Sequence, residues 1–545
     1  MDSHNNTGAA EHRCGFDELQ RETINTRVSL VNGDDDRSVE TASSAWQPIR
    51  IVIVTADVDD NRRHCTSPWQ LRPNFKGNNV VCQSEDVLTN AKRQTLLEFL
   101  VPSAVQLHQE RLSVQRSDSN IVVSAAIDRD PLCRQFSIPA PHRTTGVPNA
   151  DFVLYLSAGP TVGNLIAWAL PCQHFRNGRP SVGVANVSPK FIAADPRMVR
   201  LVAHEILHAL GFNIQNFRAQ RTATDVVPVR GKRSIPVIRS PSVVARARAQ
   251  YGCGSLHFME LEDMGGEGTE LSHWKRRNAE DELMAGISGA GVYSALSIAA
   301  MEDLGYYRGN CAMAEPMAYG RNAGCGLTTG RCVVNGVSQF PEMFCAFSST
   351  APSCASDRLG VGYCAVRSYA TAVPELFRYF ANPTVSGEHD QMDYCPYVQE
   401  AQGGSCVANG GRLPGSVFGF MSRCLDAPSG VAVGGQSSGQ YGICAEVQCA
   451  SSTYAVRVRG ASRFTSCTPG ASLTLSSLSS IFSGGHITCP SYISVCGLRV
   501  KPSSPAGGGG FPSGDGAACG SAGMAAALVA AAAMLALLPR CWRCL

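Results

Sequence analysis

Charge is scarce in this chain. Only 17% of its 545 residues are Asp, Glu, Lys or Arg, and the formal net charge is +3. So small a surplus gives no electrostatic footprint for a nucleic-acid backbone, and no basic stripe interleaved with aromatics occurs. The Arg residues between 218 and 248 fall in a Pro-broken stretch and are expected to be a solvated surface. There is no G-x-x-x-x-G-K-[ST] stretch, and no G-x-G-x-x-G follows a strand pattern, which sets aside the common nucleotide-binding loops. No C-x-x-C pairs repeat as in a zinc ribbon; the only such spacing is Cys541 and Cys544. The opening MDSHNNTGAAEHRCGF lacks the apolar core of a secretory signal peptide.

Cysteine, by contrast, is abundant: 23 residues at scattered spacings. That usage implies a disulfide framework and an oxidising compartment. The polar N-terminus conflicts with export, so an N-terminally truncated chain is expected, with a non-exported copy as the alternative. Setting aside Cys14, Cys519, Cys541 and Cys544 leaves nineteen from Cys65 to Cys496, an odd number. One of these is expected to be unpaired or bonded to another chain, and Cys311 is the candidate. Asn186-Val187-Ser188 and Asn5-Asn6-Thr7 match the N-glycosylation triplet.

The most informative stretch is His204-Glu205-Ile206-Leu207-His208-Ala209-Leu210-Gly211-Phe212. Asp195 is a ready N-cap, Pro196 fits the first helical position, and Gly211 is a natural stop. Val199, Val202, Ala203, Ile206, Leu207 and Leu210 recur at helical spacing. His204 and His208 then lie one turn apart on one face and can bind one metal. Glu205 beside them is placed to take a proton from the attacking water, as in a zinc peptidase. Two His and a Glu on the wet face of an amphipathic helix is the bland reading, and the apolar flanks weigh against it. The spacing through Gly211 follows H-E-x-x-H-x-x-G-x-x-H, but the third histidine position is Ile214. A catalytic zinc site takes three protein ligands and an open position. Downstream candidates are His257, His273, His389 and His486. His273 is preferred because Met284 follows it by eleven residues, as a Met-turn requires; His257, near Cys253, reads as a packed histidine.

HEILHALGF, a long insertion, and then LSHWKRRNAEDELM resemble the leishmanolysin family of surface metalloproteases. DVLTNAKR (86–93), AVQLHQERL (104–112), YGCG (251–254), NAGC (322–325), MDYCP (392–396) and CTPG (467–470) extend the resemblance along nearly the whole chain. It implies a zinc endopeptidase acting on proteins and peptides. One zinc would be held by His204, His208 and His273, with Glu205 as base and Met284 beneath the metal. His12-Arg13-Cys14 is similar to the family's cysteine-switch segment, so Cys14 would hold the enzyme latent. The rivals are a surface adhesion or binding paralogue that keeps the fold without the activity, and a cytosolic peptidase.

The expected fold is α+β: a metzincin-like zincin catalytic domain, an inserted central domain and a Cys-rich, mainly β C-terminal domain. Expected boundaries are 1–45 pro-segment, 46–213 catalytic, 214–330 central with the third ligand, 331–505 C-terminal, and 506–545 linker and anchor signal. Strands are predicted at 49–54 and 151–156, and helices at 85–112 and 293–305. Met524 to Leu538 is apolar for fifteen residues, short of the ~20 a spanning helix needs. Asp515-Gly516-Ala517 lies about nine positions upstream, the spacing of a GPI-attachment signal with Asp515 as acceptor. The protein is therefore expected at the cell surface on a lipid anchor, with a transmembrane tail as the alternative because Arg540 and Arg543 follow the run.

Overall fold

The computed structural model describes residues 14–23, 45–116, 118–226, 228–266, 268–287, 289–346, 351–408, 410–498 and Cys519. The tripeptide at Asn5, the apolar run 524–538, Asp515, Cys541 and Cys544 lie outside the described residues.

Helix α1 (Phe16–Thr23) precedes the main sheet. That sheet is built from β1 (Ile51–Val54), β2 (Phe152–Ser157), β3 (Ala167–His174) and β4 (Pro180–Val187) in the order β1-β2-β4-β3. β1, β2 and β4 run parallel, and β3 returns antiparallel as the edge. The strands are nearly continuous in apolar residues because both faces are covered. Phe152, Leu154, Leu156, Ala167 and Ala169 point to one core, and Val153, Tyr155, Trp168 and Leu170 to the other. This is the period-2 alternation of a strand. Gly183 in β4 is required by close approach: a Cβ there would lie 2.7 Å from the Phe152 ring and 3.0 Å from the Leu170 carbonyl.

Two helices cover the first face, α2 (Val101–Gln109) and α3 (Pro196–Ala209). α2 continues a helical turn at Asn90–Gln94 through a wider π turn at Thr95–Leu100. Pro102 explains the widening, since it has no N–H and its ring excludes the carbonyl four residues back. α3 begins as the sequence predicts: Asp195 accepts a hydrogen bond from Arg197 N at 2.7 Å, and Pro196 is the first helical residue. Every α3 residue except Arg197 is buried, which makes it a core helix rather than a wetted one. Gly211 ends it at φ 115°, a conformation costly for other residues.

The next segment carries α4 (Pro241–Tyr251) and α5 (Ala295–Asp303), packed on each other. α4 lies within the Arg-containing stretch read as a solvated loop. That reading also fails at Arg230 and Lys232, whose side chains are each 8% exposed. Arg230 pairs with Glu260 and, at 2.9 Å, with Asp393; Lys232 pairs with Asp263 at 2.7 Å and with Asp393. Alternate acid and base neighbours, far apart in sequence, make burial of these charges tolerable.

Beyond residue 330 the chain is mainly short strands. The largest sheet orders β5 (Ser422–Asp426), β6 (Gly442–Cys449), β7 (Tyr454–Arg457) and β8 (Thr465–Ser466), all antiparallel. Six disulfides staple this region, among them Cys354–Cys424 and Cys406–Cys444 across β5 and β6. Mixed helix and strand with a disulfide-dense C-terminal half therefore agrees with the sequence reading. Cys311 is a correction. It bonds Cys519, which the count of nineteen had set aside as tail. Among the described residues there are ten disulfides, and Cys14 is the free cysteine.

Candidate metal centre

α3 presents His204 and His208 one turn apart, and the loop before α5 brings His273 to them. His208 Nε2 lies 3.0 Å from His204 Nε2 and 3.0 Å from His273 Nε2. Each ring uses its other nitrogen against a carbonyl: His204 Nδ1 with Leu283 O at 2.6 Å, His208 Nδ1 with Phe212 O at 2.8 Å, and His273 Nδ1 with Thr269 O at 2.9 Å. A carbonyl only accepts, so Nδ1 carries the proton in all three rings. Three buried Nε2 lone pairs then face one another with no proton between them. That arrangement is repulsive unless a cation sits at their centre. With metal–nitrogen bonds of about 2.0–2.1 Å, tetrahedral ligand nitrogens stand about 3.3 Å apart, close to the spacing found. The donor set fits zinc. Burial and the two neighbouring imidazoles push His208 well below its ordinary value, which keeps it in the neutral form a metal needs.

Cys14 completes the cluster. One ligand atom from each of Cys14, His204, His208 and His273 lies within 4.8 Å of all the others, and all four residues are buried. Cys14 Sγ is 3.6 Å from His208 Nε2 and 4.0 Å from Glu205 Oε2. On their own, burial and the Glu205 carboxylate push the thiol up. A dication acts in the opposite sense and deprotonates a coordinating thiol.

The segment after Cys14 is fastened across the site. Cys14 N donates to Gly286 O at 3.2 Å, and Asp17 N to Gly268 O at 3.3 Å. The Asp17 carboxylate accepts from Ser272 N at 3.2 Å and from Ser272 Oγ, beside His273. Phe16 stacks on the His208 ring, with centroids 4.1 Å apart and planes 7° from parallel. α1 then packs on β3, the edge strand. The likeness to a cysteine switch points to Cys14 alone; the contacts of Phe16, Asp17 and α1 have no counterpart in the sequence reading.

The turn at Met284 belongs to the site through its backbone. Leu283 O fixes His204, Met284 is fully buried, and Met284 N donates to Glu282 Oε2 at 2.6 Å. Glu282 also accepts from Ser294 Oγ and Ser297 Oγ, and burial raises its carboxyl to about 7. The sequence reading also missed His108. Fully buried on α2, it meets Ala203 O at 3.0 Å and Tyr293 Oη at 3.2 Å, which braces α3 next to His204.

The other sequence candidates fall elsewhere. His257 is exposed near the Cys253–Cys325 bond, with Arg248 Nη2 at 3.3 Å, so it is neither packed nor near the cluster. His389 and His486 lie in the C-terminal region against Gln399 and Ser429. Asn186 corrects the glycosylation reading: it is fully buried in β4, its Oδ1 accepting from Ser157 Oγ at 2.8 Å and Gly159 N at 2.7 Å. An amide enclosed in this way has no room for a glycan.

Comparison with known proteins agrees with the geometry. The leishmanolysin family profile, peptidase M8, matches residues 7–502. Leishmanolysin of Leishmania major is 42% identical over 474 residues, 85% of this chain and 78% of its own. The leishmanolysin homolog of Crithidia fasciculata is 40% identical over 487 residues, 87% of this chain and 74% of its own. A leishmanolysin-like peptidase of Drosophila melanogaster is 32% identical over 500 residues, 72% of this chain and 70% of its own. A match of this breadth, around three histidines disposed for zinc, means that the chain belongs to the leishmanolysin family of zinc metalloendopeptidases.

Proposed function

We propose that this chain is the latent precursor of a surface-anchored zinc endopeptidase. In this reading residues 46–213 form a metzincin-like catalytic unit, 214–330 bring in the third ligand, and 331–505 form the C-terminal unit. His204, His208 and His273 hold the zinc. When bound, zinc supplies Lewis acidity that lowers the pKa of water from about 16 to near 7 and polarises the scissile carbonyl. Glu205 takes the proton of the attacking water and delivers it to the leaving amine. Met284 acts through its turn, which holds the Leu283 carbonyl against His204 and so keeps that ring's Nε2 aimed inward. C-terminal anchoring at the surface rests on the apolar run 524–538.

Latency rests on one observation: Cys14 Sγ lies 3.6 Å from His208 Nε2, in the fourth position around the three imidazoles. A thiolate there excludes the attacking water, and Phe16 and α1 cover the approach along β3. Cys14→Ala is expected to give a precursor that cleaves a fluorogenic peptide without treatment. The wild-type precursor should need a mercurial or removal of residues 1–45. An unprocessed wild-type precursor already at full activity refutes the switch.

A further inference from the structure

Among the described residues the Cys311–Cys519 bond is the one disulfide that reaches into the C-terminal tail, with a sequence separation of 208. Cys519 is fastened by more than sulfur. It is 2% exposed, Cys519 N donates to Glu302 Oε2 at 2.9 Å, and Arg246 Nη2 donates to Cys519 O at 2.5 Å. Its sulfur fits against Gly309, where a Cβ would approach it to 3.1 Å. The partners come from α4 (Arg246), α5 (Glu302) and the chain just after α5, so a socket of three separate segments receives this residue.

We propose that residue 519 stays in the mature protein, locked to the α4–α5 face, and that attachment to the membrane lies beyond it. This rests on the surface-anchored reading above. It excludes lipid attachment at Asp515, because cleavage after that residue discards Cys519 and leaves Cys311 as a lone thiol beside Gly309. Closing the bond oxidises two thiols to one disulfide and passes two electrons and two protons to a protein disulfide oxidant, as for the other nine bonds. The tether also fixes orientation. The apolar run begins at Met524, five residues past Cys519, and five residues reach at most about 18 Å. The α4–α5 face is thereby the one held towards the lipid.

The test is mass spectrometry of full-length protein expressed in a trypanosomatid host. Free thiols are alkylated and the chain is digested with trypsin without reduction, before and after release by phosphatidylinositol-specific phospholipase C. The expected product joins the peptide beginning at Gly309 to one containing Cys519, and reduction splits it. In Cys311→Ser, the Cys519 peptide should instead carry the alkylating label. An alkylated Cys311 in the wild-type protein, or a lipase-released chain ending at residue 515, overturns the tether while leaving surface anchoring intact. Absence of the protein from the surface defeats the anchoring reading; the joined peptide from whole cells then still decides the tether.

Discussion

Glu205 and His273 divide the work of the site in a way single substitutions can separate. Glu205→Ala removes the base and no ligand, so zinc should remain at one per chain by elemental analysis. Peptide hydrolysis should fall by about 10²–10⁴-fold, the usual contribution of a general base. Activity above a tenth of wild type would remove Glu205 from that role. His273→Ala should weaken zinc at least tenfold in a competition assay with a chelator, whereas His257→Ala should leave it unchanged; the reverse would reassign the third ligand. The sequence shows His204, Glu205 and His208 plainly because one helix sets their spacing. His273 was reachable only through its distance from Met284 and the family likeness. The three carbonyls that fix the imidazoles carry no sequence signal, since every residue has one. Asn186 misled because a tripeptide says nothing about burial in a sheet.

At the scale of elements, α1 has the largest consequence. Its docking combines a stacked ring, a carboxylate on Ser272 and two backbone bonds, so Cys14 need not hold the segment alone. Asp17→Ala with Cys14 intact should leak, giving several-fold more peptide hydrolysis before activation than wild type and less than Cys14→Ala. Leakage equal to wild type would confine latency to the thiol. α3 was legible down to its cap, and Asp195→Ala should cost about 1 kcal/mol in denaturant unfolding if Asp195 caps as placed. α1 and α4 were not legible. A short polar helix is set by what it packs on, and α4 hides in a stretch whose prolines looked like breaks although Pro241 is its first residue.

Across the whole molecule, stability should carry the mark of Glu282. Burial outweighs the donors around this carboxyl and raises it from 4.5 to about 7. The folded state therefore holds the proton more tightly than the unfolded chain. The stability this lends is complete below pH ~4.5 and is lost as pH rises through about 7. Glu282→Gln should flatten that decline, on the order of 3 kcal/mol between pH 4.5 and 8. Equal pH dependence of unfolding in the two proteins would show that Glu282 is ionised throughout. The strands at Ile51–Val54 and Phe152–Ser157, the buried motif helix and the cysteine-stapled C-terminal half were foreseeable from composition and period, whereas β3 and β4 were not. Cys311 and Cys519 were not, because their 208-residue separation gives no local trace of pairing.

The disulfide map also decides how this peptidase wears under its own attack. A backbone cut between Cys311 and Cys519 falls inside a closed loop, so the pieces remain one covalent molecule. The same holds between Cys253 and Cys325, Cys133 and Cys172, and Cys65 and Cys82. The stretch from 173 to 252 lies outside every loop closed among the described residues, and it carries the motif helix together with exposed Arg218, Arg221 and Arg233. An aged preparation should look intact on a non-reducing gel after most nicks, and split into large pieces there only after cuts in 173–252 or in 83–132, since cuts before Cys65 or after Cys519 shed just a terminal piece. Autolysis at the insertion thus splits the zinc ligands between two chains, His204 and His208 on one and His273 on the other, giving the enzyme a built-in point of self-termination.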